Sequence, residues 1–249
     1  MALMGAWIWV FIRVGGVVMT APLIGTRAVP ARVRLVFAVT LTLTIAPLVA
    51  APTNIDIATL RGGLVGINQV IIGASIGLTI RLVFAAAELA GQIAAQQMGL
   101  GFASLVDPQS GSQVPVVSQF YIILTTLLFF TFDAHLALIA LINDSFTLLP
   151  VGMNGMQAAA IEMILNWSRT LFSGALSVVM PVIVALLVVN IAFGVMARSA
   201  PQLNIFAVGF PVMMVFGMLA VYLTLDQLET SFRLHLQDAF EVARGALSQ

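Results

Sequence analysis

The stretch LFSGALSVVMPVIVALLVVNIAFGVMA (171–197), RSAPQLN (198–204) and IFAVGFPVMMVFGMLAVYLTL (205–225) decides the fold class. From Thr170 to Leu225 the chain carries one charge, Arg198. The apolar arm before it is 28 residues long (170–197), and the arm after it is 27 (199–225). A hydrocarbon core about 30 Å thick is crossed by about 20 helical residues. Each arm is therefore long enough to span, with Arg198, Pro201, Gln202 and Asn204 forming the turn between them. The pattern predicts a helical hairpin in lipid, or in a large all-helical assembly that takes the place of lipid.

Composition extends this reading to the whole chain. Hydrophobic residues make up 61% and charged residues 8% of the 249 positions, against about 25% charged in globular domains. So few charges cannot cover the surface of a soluble fold of this size. The class is an all-α integral membrane protein, built of long, partly broken helices and hairpins. All ten basic residues are arginine and the net charge is zero, so no electrostatic footprint for nucleic acid exists. The absence of cysteine excludes disulfides, thiolate nucleophiles and thiolate metal sites. The first charge, Arg13, falls inside the first apolar run, so Met1–Phe11 is expected to be a retained helix and not a cleaved leader.

Further apolar segments cover about 3–24, 35–50, 64–98, 116–142, 170–197 and 203–225. Connections are marked by Pro30 among Arg27, Arg32 and Arg34, by Pro52 with Asn54, by Asp107–Pro115, and by Pro150 with Gly152. As one helix, 64–98 would be about 52 Å long, so it must break, tilt or project beyond the bilayer. If every segment spanned, the arginine-rich loops would share a side and both termini would lie outside the cytoplasm. In the tail, Leu228, Phe232, Leu236, Ala239, Ala243 and Leu247 recur at helical spacing, which predicts an amphipathic helix at the membrane interface.

Four constellations stand out. Gly62, Gly66, Gly73 and Gly77 fall within about 60° of one another on a helix, a small-residue face for close helix packing. Ser75 within Gly73–Gly77 has the form of a hydrolase elbow, but that elbow needs a strand-to-helix turn and nothing here reads as sheet. Arg81, Glu88, Gln92 and Gln96 share a face about 80° wide; they are either an intramolecular polar cluster or the wall of an aqueous conduit. The segment Asp107-Pro108-Gln109-Ser110-Gly111-Ser112-Gln113-Val114-Pro115 is either an exterior loop or a loop hanging into a pore. Asp133 and His135 are expected to be a packed polar pair at a helix end, with a proton relay as the rival reading. Two histidines, His135 and His235, cannot build a histidine-rich metal site. No residue is read as catalytic, and none as a cofactor or metal ligand.

Three blocks carry a resemblance: Met19–Arg34, Glu88 through Gly99–Asp107 to Pro108, and Ala200–Pro211, with a lesser match over Asn143–Gly152. In order and spacing the chain resembles the FliR/SctT family of type III secretion export gate subunits over nearly its whole length. Ala134 departs from the family's glycine before the histidine, and lysine is missing. The resemblance implies a FliP-like helical half (1–160), a FliQ-like hairpin (161–225) and an amphipathic C-terminal helix (226–249). It implies FliP, FliQ, FlhB and FlhA type proteins as partners, unfolded rod, hook and filament proteins as substrates, and the inner membrane of the flagellar basal body as location. It makes Asp107–Pro115 a plug and places Arg81, Glu88, Gln92 and Gln96 at the lumen or at subunit contacts. It also implies helices raised above the bilayer plane, which removes the basis for the charge-derived topology. Small-solute transport, a structural scaffold and an intramembrane hydrolase using Ser75 are the rival readings.

Overall fold

A computed structural model describes residues 2–26, 29–49, 55, 58–100, 115–199 and 205–248; for 2–6 and 205–208 it describes the backbone. Every element among the described residues is helical: α1 (Ala2–Thr20), α2 (Ala31–Ile45) continued by a 3₁₀ turn (Ala46–Leu48), α3 (Leu60–Gln97), α4 (Val116–Thr131), α5 (Ala134–Leu148), α6 (Ala158–Ser199), α7 (Ile205–Leu223) and α8 (Leu225–Leu247).

Local chemistry sets the ends of these helices. Thr59 Oγ1 accepts the N–H of Gly62 at 3.1 Å, which caps the first turn of α3. Pro30 and Pro150 stand where a helix cannot continue backwards or forwards. The segment 64–98 does not break: α3 is one helix of 38 residues, about 57 Å long. The expected run 116–142 does break, between α4 and α5. Asp133 there takes a left-handed conformation with φ 53°, one of the few non-glycine types that tolerates it. Helix α6 has 42 residues and starts at Ala158, well before the apolar arm begins.

Proline 181 lies inside α6 and has no N–H for the carbonyl four residues back. That carbonyl, Ser177 O, instead accepts from Gln227 Nε2 of α8 at 3.1 Å. The tail therefore meets protein. Leu228 and Phe232 are buried, the latter edge-on to Phe84 with ring centroids 5.4 Å apart. Ala243 and Leu247 join another buried cluster. Leu225–Leu247 is one helix, and among the described residues Leu228, Phe232, Ala243 and Leu247 of its apolar face pack against other helices.

Among the described residues, three helices are long and apolar enough to cross a membrane: Ala31–Leu48, Leu60–Gln97 and Ala158–Ser199. The pairs α4 with α5 and α7 with α8 are apolar enough only when taken together, and they bend by 67° and 51° at the break, as a broken span or a re-entrant loop does. Two compact units draw on interleaved stretches: Met1–Val83, Phe129–Arg169 and His235–Gln249 in one, Phe84–Leu128 and Thr170–Leu234 in the other. The core of the first contains Trp9, Val14, Ile72, Leu141, Ile142 and Phe146. The core of the second contains Ala90, Ala94, Met98, Tyr121, Val182 and Leu186.

Candidate functional site

In the second unit, the chain leaves α3 through a Schellman turn. Gly99 has φ 79°; its N–H donates to Gln96 O, and that of Leu100 to Ala95 O, both at 3.0 Å. These bonds satisfy carbonyls that a helix end leaves free. On the return, Pro115 O accepts the N–H of Gln119 at 3.0 Å and starts α4. Ser118 Oγ then donates to Glu88 O at 2.9 Å. Gly91 faces the same turn, where a Cβ would come within 2.6 Å of Ser118 Cα. Leu100 and Ser118, on the described residues either side of 101–114, are thus both bonded to the last turns of α3. Asp107 through Val114 themselves lie outside the described residues.

The polar face of α3 is placed as follows. Glu88 is half-buried, and its Oε1 accepts from Gln92 Nε2 at 3.3 Å, a weak i,i+4 bond. Gln96 is exposed in the last turn, and Arg81 is exposed nearly two turns before Glu88. Met98 is fully buried and fills the space against Gly217 of α7, where a Cβ would lie 2.5 Å from its Cγ. Arg198 is exposed in the last turn of α6, where the helix dipole favours a cation. Pro201, Gln202 and Asn204 lie outside the described residues.

In the first unit, α1 and α3 approach backbone to backbone. A Cβ on Gly16 would lie 2.8 Å from Val70 O, and one on Gly73 would strike Arg13 O. One on Gly77 would strike Thr20 Oγ1 and lie 2.8 Å from Val17 O. Gly66 has looser neighbours, Trp9 Cζ3 at 3.8 Å and Ile12 Cδ1 at 3.9 Å. Gly62 belongs to the capped first turn. Ser75 is in mid-helix and donates to Ile72 O at 2.8 Å.

Asp133 is exposed, while His135 packs its ring on Phe130 with centroids 5.2 Å apart. His135 is the one polar side chain on the wall of an apolar cavity of about 270 Å³ between α1, α2 and α5. No His, Cys, Asp or Glu cluster suited to a metal occurs among the described residues.

One polar group escaped the sequence reading. Arg13 is completely buried and is held by α3 and by the end of α5. Its Nε donates to Gln69 Oε1 at 2.8 Å, Nη1 to Ser145 O at 2.6 Å and Ser145 Oγ at 3.1 Å, and Nη2 to Leu149 O at 2.8 Å. Phe146 lies flat enough to place its ring centroid 4.2 Å from Cζ. Only the position of Arg13 inside an apolar run hinted at this. Its partners are 56 to 136 residues away in sequence.

The family described as bacterial export proteins, family 1, matches residues 4–239. The flagellar biosynthetic protein FliR of Pectobacterium carotovorum subsp. carotovorum is 38% identical over 242 residues, covering 97% of this chain and 92% of that protein. FliR of Escherichia coli K12 is 37% identical over 211 residues, 85% of this chain and 80% of that protein. FliR of Bacillus subtilis 168 is 32% identical over 209 residues, 83% and 80% of the two chains. With a match over nearly its whole length, this chain belongs to the bacterial export proteins of family 1, the family of FliR.

Proposed function

We propose that the chain is a core subunit of the flagellar type III secretion export gate and forms part of the gated conduit for unfolded rod, hook and filament proteins. Family membership over residues 4–239 carries the reading. FliP, FliQ, FlhB and FlhA type proteins are its partners, and the inner membrane of the flagellar basal body is its location. No reaction is catalysed by this chain; the driving energy comes from elsewhere in the apparatus. The 1–160 half is FliP-like, 161–225 is a FliQ-like hairpin turning at Arg198–Asn204, and 226–249 is the amphipathic end.

Asp107–Pro115 is the plug. A gate must be flexible at its tip and firm at its base. Gly111, Ser110 and Ser112 are residue types that rearrange at low cost, which suits the first requirement. The Schellman turn at Gly99 and the Ser118–Glu88 bond supply the second. Arg81, Glu88, Gln92 and Gln96 face the lumen or neighbouring subunits, where polar groups on an apolar helix find partners. Of the glycine face Gly62, Gly66, Gly73 and Gly77, the last two give α1 room for close approach.

The test is deletion of Gln109–Gln113 in cells that assemble the apparatus, followed by measurement of ion leakage across the membrane. The proposal expects leakage to rise well above that of the intact chain. Membranes that stay tight with the shortened chain assembled would remove the plug assignment.

A further inference from the structure

We propose that the end of α5 and the turn after it, within Asn143–Gly152, form a guanidinium receptor that seats α1 by recognising Arg13, so that α1 docks only when α3 and α5 are both in place. The receptor is built from local features. Ser145 Oγ gives its hydrogen to Ile142 O at 2.6 Å, which leaves the hydroxyl oxygen free to accept from Arg13 Nη1. Ser145 O takes the N–H of Leu149 at 3.0 Å as well as Nη1. Leu149 has left the helix, with φ −131° and ψ 86°, because the residue before a proline is pushed out of the helical region. Its carbonyl is thereby turned towards Nη2.

Charge and shape are both matched. Ser145 O lies in the last turns of α5, at the negative end of its dipole, where a cation is favoured. Phe146 offers the face of its ring. Gln69 gives its acceptor oxygen to Nε, while its own Nε2 is buried without a partner among the described residues. All of these partners are neutral, so this is not a salt bridge in which a second charge supplies the binding. A planar fork of five N–H donors reaches all four acceptors on two helices at once; an ammonium has three donors and no fork, and an apolar side chain has none. Arg13 is also the only charge on α1, and an unmet charge in lipid is costly. Helix α1 is thus penalised until the receptor exists and held once it does.

The experiment uses membranes from cells expressing the full chain and reads the fraction resistant to protease after mild detergent extraction. Arg13→Ala should lower that fraction by roughly tenfold or more, since several bonds to a charged group are lost together. Millimolar methylguanidinium should restore at least half of the loss. Tetramethylammonium, which has the same charge and no N–H donors, should not. Arg13→Met should lose protection as Arg13→Ala does, and should not respond to methylguanidinium because the side chain fills the space. Full protection in Arg13→Met would overturn the proposal, because apolar fit would then suffice. So would equal rescue of Arg13→Ala by both cations, or its failure to respond to methylguanidinium.

Discussion

At Gly73 the α1 backbone comes so close that a Cβ would strike Arg13 O and lie 3.1 Å from Val17 N. Backbone cannot step aside as a flexible side chain can, so the added methyl must push two helices apart. Gly73→Ala is expected to destabilise by about 1–3 kcal/mol. Gly66→Ala meets only side-chain atoms at ordinary contact distance and should be neutral, or stabilising by up to about 1 kcal/mol through helix propensity. Thermal unfolding of the two detergent-solubilised variants checks the contrast. Spacing put all four glycines on one face but did not distinguish them, because the distinction depends on where α1 crosses. Arg13 was visible as an oddity for the same reason and no further. Its acceptors are a glutamine side chain, a serine hydroxyl and the main-chain carbonyls of Ser145 and Leu149, groups that carry no signal until the fold brings them together.

The lengths of α3 and α7 were legible, since their apolar runs are long and interrupted by few charges; α6 begins at Ala158, and its first turns, which hold Glu162 and Arg169, lie outside the apolar run. The breaks were less so. Asp133 ends α4 by taking a left-handed conformation without glycine, and short polar residues do this too rarely for the sequence to announce it. Asp133→Gly removes the cost of a side chain at positive φ and should stabilise by up to about 1–2 kcal/mol, read as a higher melting temperature with helix content unchanged. Pro181 is a different interruption, met by a partner from another helix. Gln227→Ala should cost about 1 kcal/mol in the native background and almost nothing in Pro181→Ala, where the restored N–H occupies Ser177 O. The double-mutant cycle measures that coupling directly; equal losses in both backgrounds would show that Gln227 does not serve the freed carbonyl.

Across the whole molecule, apolar surface remains on both long helices. Leu64, Ile67 and Ile71 of α3 and Phe172, Leu187, Ile191 and Val195 of α6 are each more than two-fifths exposed. Such faces require lipid or other protein, and α3 and α6 are far longer than a bilayer is thick. The proposed export-gate assembly would satisfy both, with neighbouring subunits extending the apolar environment beyond the bilayer. Composition revealed the need for cover; which neighbours provide it came from family resemblance, because the partners' surfaces are not written in this chain. The decisive measurement is to extract the natively expressed protein in mild detergent and identify by mass what remains bound. The account predicts a large particle containing several other integral membrane proteins of the export apparatus. A stable, monodisperse species of 26.4 kDa protein mass with nothing attached would contradict it.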